Sequence, residues 1–176
     1  MSTTETAQDR LAGTWNFAAT HSTAGFSVKY LVAAFRGTFE KFDGTLVDGV
    51  ITGKVDVTSV NVKDPNLAGH LQAPDFFDAE RFPEITFRST TIDISGDAAE
   101  VEGELTVKGV TKPVHATGTV NGPTEDFMGN TRLGFTLETT IDRSGFGVSW
   151  NAPLPKGGLA LANDVKLIIE LEFSRA

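Results

Sequence analysis

Apolar and polar residues alternate along most of this chain with a period of two, the spacing that puts alternate side chains of an extended strand on one face. Phe26, Val28 and Tyr30 alternate with Ser27, Lys29 and Leu31, and the pattern continues through Phe35, Gly37 and Phe39 to Phe42. It returns in Ile51, Gly53, Val55 and Val57, and again in Ile85, Phe87 and Ser89. Val101, Gly103, Leu105 and Val107 repeat it, followed by Val114, Ala116, Gly118 and Val120. Leu133, Phe135, Leu137, Thr139 and Ile141 form one further run, and Val165, Leu167, Ile169, Leu171 and Phe173 the last. Each predicted strand has one dry and one wet face, which two packed sheets or one sheet closed on itself would satisfy. The segments 26–42, 84–94, 101–120 and 131–141 exceed the usual strand of about six residues. Their internal glycines (Gly37, Gly103, Gly118, Gly134) suit the bent strands of a barrel.

Between the strands, Asp43-Gly44 reads as a hairpin turn. Asp64-Pro65-Asn66 is turn chemistry that can cap a short helix over Leu67 to Gln72, stopped before Pro74. Asp75 to Arg81 is an acidic and aromatic turn, and Phe82-Pro83 breaks it, because a residue before proline is pushed toward extended geometry. A strand therefore enters at Glu84 from a lid-like segment carrying Phe76, Phe77 and Phe82. Residues 142–163 have no periodicity and hold Trp150, two prolines and Gly157-Gly158; loops of that length are usually functional or mobile. Residues 1–12 are expected to be a mobile lead-in and 13–176 a single β-barrel domain.

Composition narrows the function. Net charge is −8 with a pI near 4.8, which weighs against a nucleic-acid partner and against peripheral binding to anionic membranes. There are no cysteines, so disulfides and thiolate chemistry are excluded. The polar, acidic N-terminus has no secretory pattern and no run approaches the roughly 18 apolar residues of a membrane span, so the expected location is cytoplasmic. Thirteen phenylalanines suit either a wide greasy interior or an ordinary core.

Five stretches in order carry a resemblance. They are His21-Ser22-Thr23-Ala24-Gly25-Phe26-Ser27-Val28-Lys29, and Arg36-Gly37-Thr38-Phe39 leading to Phe42-Asp43-Gly44. Asp75-Phe76-Phe77-Asp78-Ala79-Glu80 with Phe82-Pro83 and Thr86-Phe87-Arg88-Ser89-Thr90 follows. Gly103 to Val114 and Ile141-Asp142-Arg143-Ser144-Gly145-Phe146-Gly147 complete the set. Their order and spacing resemble the YceI-like family of bacterial polyisoprenoid-binding proteins over nearly the whole chain, Thr14 to Phe173. The resemblance implies a lipocalin-like antiparallel β-barrel of about eight strands with an elongated apolar interior. It implies binding of a long isoprenoid or similar amphiphilic lipid, a polyprenyl lipid or quinone, without catalysis and with no cofactor. Many relatives are periplasmic. The chain departs from the family at Leu67-Ala68, where an Arg-Asp pair commonly precedes the His-Leu of that loop; here Gly69-His70-Leu71 follows.

On this reading the tunnel is lined by Phe26, Val28, Tyr30, Phe87, Leu105, Val107, Leu133, Phe135, Leu137, Leu167, Ile169 and Leu171. The loops 64–82 and 143–162 control entry, with His21, Arg36, His70, Phe76, Phe77, Phe82, Arg88 and Trp150 as mouth or lid candidates. Phe135→Ala should then change lipid binding and Thr136→Ala should not. Two rivals stand beside it: a structural or interaction protein with a solid core, and an enzyme using the same cavity. For the enzyme, His21, His70 and His115 have no metal-site spacing, and no Gly-x-Ser-x-Gly elbow or phosphate loop occurs. Asp142-Arg143 reads as a strand-end ion pair, or as a polar latch on the loop Ser144–Asn163. The oligomeric state stays open, a homodimer included.

Overall fold

The computed structural model of the chain describes residues 7–176. Its strands are β1 (Thr14–Phe17), β2 (Thr23–Tyr30), β3 (Ala33–Phe39), β4 (Phe42–Val47), β5 (Val50–Asp56) and β6 (Val60–Asn61). After them come β7 (Glu84–Ser95), β8 (Ala98–Val107), β9 (Val110–Glu125), β10 (Thr131–Asp142) and β11 (Leu161–Arg175). Two short helices, α1 (Ala7–Leu11) and α2 (Pro65–Gln72), accompany them.

Eight strands close a ring in the order β1, β4, β5, β7, β8, β9, β10, β11 and back to β1, every pair antiparallel. Closure leaves no open edge around the ring. β11 belongs to two neighbourhoods. Its far end pairs with β1 (Phe17 with Phe173), while its first half pairs with β2 (Val28 with Val165, Phe26 with Leu167). β3 and β6 extend that second wall. The barrel is thus sealed by β1 at one end and widened by the β2–β3 hairpin at the other.

Each end has its own apolar cluster. At the β1 end Leu11, Trp15, Leu46, Ile51, Val101, Val120, Leu133, Phe135 and Phe173 pack solidly, with Leu46 and Phe173 0% exposed. Gly118 on β9 belongs to this seam: a methyl there would drive into the Thr136 carbonyl, so β9 and β10 can approach only with glycine. The other cluster gathers Phe26, Val28, Phe39, Leu71, Phe76, Leu105, Phe146 and Leu161.

Three local expectations change. Residues 1–6 of the expected lead-in lie outside the described residues, but Ala7–Leu11 is a helix held across the barrel's end. Arg10 Nη1 donates to Gly96 O at 2.7 Å and Nη2 to Gly122 O at 2.6 Å, so one guanidinium ties the β7–β8 turn to the later part of β9 while Leu11 fills the core. The hairpin turn falls at Asp48-Gly49, both left-handed (φ 46° and 81°), and Asp43-Gly44 lies inside β4. Asp48-Gly49 offers the same turn chemistry one strand later, and the alternation Phe42, Gly44, Leu46 runs straight through Asp43. Finally, the segments 101–120 and 26–42 are not single bent strands: Lys108-Gly109 folds the former into the β8–β9 hairpin, and Leu31-Val32 folds the latter into the β2–β3 hairpin, with Leu31 at φ 54°. No glycine or asparagine marks that turn, so alternation alone passes over it. The helix over 67–72 forms as α2, its Asp64 cap accepting from the Asn66 N–H.

At the sealed end a small charge network braces β10 and β11. Arg132 donates to Asp126 at 2.7 Å and to Glu172 at 3.1 Å. The Arg132 hydrogen bond, helped by the Asn130 and Met128 N–H groups, holds the Asp126 carboxyl down from 3.8 to about 2. A carboxylate with a lowered folded-state pKa stabilises above its unfolded value and loses that contribution as pH falls through the folded one. Asp126→Asn should therefore lower stability at pH 7, and the gap to wild type should close between pH 3.8 and about 2. Urea titrations at pH 7 and pH 2 check this; a gap of equal size at both would rule the network out as the cause.

Candidate functional site: an apolar barrel cavity

Between the solid core and α2 lies a cavity of about 560 Å³, within the roughly 300–1,000 Å³ usual for ligand pockets. Alternation builds it. β2 sends Phe26 and Val28 inward, β8 sends Leu105 and Val107, and β11 sends Val165, Leu167, Ile169 and Leu171. Leu167, Ile169 and Leu171 point into the barrel yet keep some accessible surface, while Lys166 and Glu170 on the alternate phase face outward. Inward side chains with free surface are what an unfilled interior produces.

Of the residues expected on the wall, Phe26, Val28, Tyr30, Phe87, Leu105, Val107, Leu137, Leu167, Ile169 and Leu171 line the cavity. Leu133 and Phe135 do not. They share the inward phase of β10 but sit where β1 seals the ring, and Phe135 packs on Phe173 with ring centres 6.4 Å apart. The expected effect of Phe135→Ala on lipid binding is therefore withdrawn, and its role is in the core.

The lid is α2, the segment 73–82 and the loop after β10. His70 meets Phe76 and Trp150 edge-on, both with ring centres at 4.9 Å, and Phe76 lies 5.3 Å from Trp150. Phe77 packs edge-on against Phe39 of β3 at 6.1 Å. These four candidates (His70, Phe76, Phe77, Trp150) all border the cavity. Lys108, in the β8–β9 turn, donates to Pro74 O at 2.7 Å and Gly147 O at 3.2 Å, stapling both halves of the lid to the rim.

The other mouth candidates lie elsewhere. His21 is exposed in a 3-10 turn, Ala19–His21, on the sealed half, where Ala18 N–H bonds Glu172 O. Arg36 is on the outward face of β3, beside a shallow groove with Asn61 and Lys63. Arg88 is exposed on the outward face of β7, opposite Thr52 and Glu104. Phe82 packs outside the cavity, under the Arg81 guanidinium at 5.3 Å. The first three fail because their strand phase or axial position turns them away, and Phe82 because the Pro83 break carries it past the rim.

Arg143 is the polar residue that sequence reading undervalued. It lines the cavity, is 5% exposed, and makes no ion pair with Asp142. Asp142 turns outward to cap the next turn, accepting from Ser144. The Arg143 guanidinium instead binds carbonyls: Nε to Ala162 O and Nη1 to Val148 O and Trp150 O, all at 2.8 Å, and Nη2 to Leu161 O at 3.3 Å. Burial pushes its pKa down, against the pull of Asp142. Asn151 repeats the device, donating to Leu161 O at 2.6 Å and accepting from Leu161 N at 2.8 Å. Together they bind the loop before β11 onto the strand, so the latch reading of Asp142-Arg143 describes what the structure shows. Phe35, Phe39, Phe42, Phe146 and Val148 also line the cavity. Of these, Phe35 and Phe39 stand on the alternating apolar phase Phe35, Gly37, Phe39 that the sequence already displays, and reading that phase as inward would have found them. Among the described residues no group of three or more His, Cys, Asp or Glu is placed to hold a metal.

Comparison with known proteins places this geometry. UPF0312 protein SAS2572 of Staphylococcus aureus (strain MSSA476) is 32% identical over 170 residues, covering 91% of this chain and 96% of the relative. The crystal structure of BcnA from Burkholderia cenocepacia superposes with a TM-score of 0.76 at 24% identity, covering 89% of this chain and 99% of that one. A polyisoprenoid binding domain from Saccharophagus degradans gives 0.73 at 14% identity over 92% and 98%. The two structures carry the fold, and the YceI-like domain model matches residues 15–173. From that match, which takes in the ring, the cavity and the lid together, the chain belongs to the YceI-like family.

Proposed function

We propose that this protein binds an isoprenoid or similar amphiphilic lipid, a polyprenyl lipid or quinone, in the barrel cavity and holds it without chemical change. The observation that carries the reading is the cavity itself: about 560 Å³, walled by Phe, Leu, Ile and Val, and closed below by a solid core. A protein of wholly filled interior would have no such space. Each methylene moved from water to such a wall contributes roughly 0.8 kcal/mol, so an isoprenoid tail binds without any specific polar contact. Of the polar lining residues, His70, Arg143 and Trp150 lie together on the lid side, which suits a tail-down, head-up pose. The Saccharophagus neighbour, a polyisoprenoid binding domain, supports the same class of cargo.

Size sets a limit. At roughly 30 Å³ per non-hydrogen atom, the share a water takes in its liquid, the space holds on the order of twenty such atoms, or about four isoprene units. A longer chain would extend past the lid. Organic extraction of the freshly purified protein followed by mass spectrometry tests the reading. A stoichiometric isoprenoid or quinone is the expected result. An empty extract together with no uptake of added polyprenyl lipid would overturn it.

A further inference from the structure

We propose that the rim formed by the β2–β3 turn and the Leu159 edge is a docking surface for an anionic phospholipid bilayer. Tyr30 lines the cavity and is 43% exposed; beside it stand Leu31 at 47% and Val32 at 97%. Leu31 N–H bonds Ala160 O at 2.9 Å, which brings Leu159, 60% exposed, to the same edge. Two-residue hairpin turns favour glycine, asparagine or aspartate, because left-handed backbone disfavours bulky side chains. Here the turn holds leucine and valine, with Leu31 in the left-handed region. Val32 at this tip, 97% exposed, contributes nothing to the core.

Charge separates this rim from the rest of an acidic molecule. No Asp or Glu occurs from Arg10 to Phe39, nor from Arg143 to Asn163, although the chain has 23 acidic residues. The acid-free stretches end at Glu40, Asp142 and Asp164. Lys29 and Arg36 stand on the outward face of the β2–β3 hairpin, and Lys156 lies in the turn before Leu159. Asp142 and Asp164, exposed and paired in register across β10 and β11, stand beside this edge but are outnumbered by Lys29, Arg36 and Lys156, and each Lys or Arg near an anionic surface is attracted while the apolar tip enters the interface. The opposite end supplies the contrast. Phe127 (98% exposed) and Met128 also project, but from a turn led by Glu125 and Asp126.

The role follows from the lipid-binding reading, since a cargo of low water solubility is best exchanged where the cavity meets a membrane. The test does not need that reading. Wild-type protein is mixed with vesicles of phosphatidylcholine alone or with added phosphatidylglycerol, and sedimented. It is expected to partition onto the anionic vesicles, and Leu167→Trp, its cavity filled, should do the same. Val32→Asp should bind about tenfold more weakly, the loss expected for one valine no longer buried. Phe127→Asp should match wild type, and Lys29→Glu with Arg36→Glu should lose the preference for anionic vesicles. The proposal fails if wild type stays in solution with both vesicle types, or if Val32→Asp and Phe127→Asp behave alike. Self-association that Val32→Asp abolishes, without vesicle binding, would assign the tip to a second copy and overturn it as well.

Discussion

Leu167→Trp is expected to weaken uptake of a fluorescent polyprenyl lipid at least tenfold while leaving the protein folded. Leu167 projects from the middle of β11 into the cavity and pairs with Phe26 across the β2 wall. An indole there occupies space that is now empty, so it escapes most of the roughly 1–3 kcal/mol that overpacking costs a filled core. The loss of uptake is the loss of volume. Phe135→Ala is the matched control, since Phe135 faces inward on the neighbouring β10 but sits in the solid end. It should cost about 3–5 kcal/mol of stability and, below its melting temperature, leave uptake as in wild type. For a domain of this size each kcal/mol moves Tm by about 2–4 °C, so the two variants separate on a melting curve and a binding curve. If Leu167→Trp still took up lipid normally, the cavity would not be the site.

Arg143→Met is expected to destabilise the protein by about 3 kcal/mol or more, because it takes the guanidinium donor from the carbonyls of Val148, Trp150 and Ala162, Leu161 keeping Asn151, and a buried acceptor left unpaired costs about 1–3 kcal/mol. Arg143→Lys should rescue little, since a single ammonium cannot reproduce the planar fork that reaches carbonyls on two sides. Hydrogen exchange should show the loss concentrated in 147–162, with the sealed end protected as before. Equal loosening at both ends would mean that Arg143 supports the whole barrel and not the lid.

The contrast between these residues also shows what the sequence could and could not carry. Period-two alternation reports which face of a strand a residue occupies, and it placed Leu105, Leu137, Leu167 and Ile169 on the interior correctly. It says nothing about depth along the barrel axis. Leu133 and Leu137 are in phase, yet one is in the core and the other also borders the cavity, because only one end is plugged by β1 and α1. Arg143 beside Asp142 invites an ion pair, but the two side chains leave the chain in different directions and the true partners are carbonyls as far on as Ala162. α1 has only five residues, too few for a periodic signal, and its place depends on Arg10 reaching two distant carbonyls, of Gly96 and Gly122. The Leu31-Val32 turn lacks the residues that announce a turn.

The double role of β11 bears on how the molecule is made. β11 pairs with β10, with β1 and with β2, so no ring exists until this last strand is in place. Trp15 must wait for Arg175, its strand partner, whose guanidinium also covers the indole at 4.7 Å. Joining the two ends of a chain this long is slow, because loop-closure entropy is lost before any contact repays it. During synthesis β7 to β10 can assemble as a meander of consecutive hairpins, but its dry face stays open to water until Leu161–Arg175 emerges. The same greasy wall that later suits a lipid is, for that interval, a surface for chaperones or for aggregation.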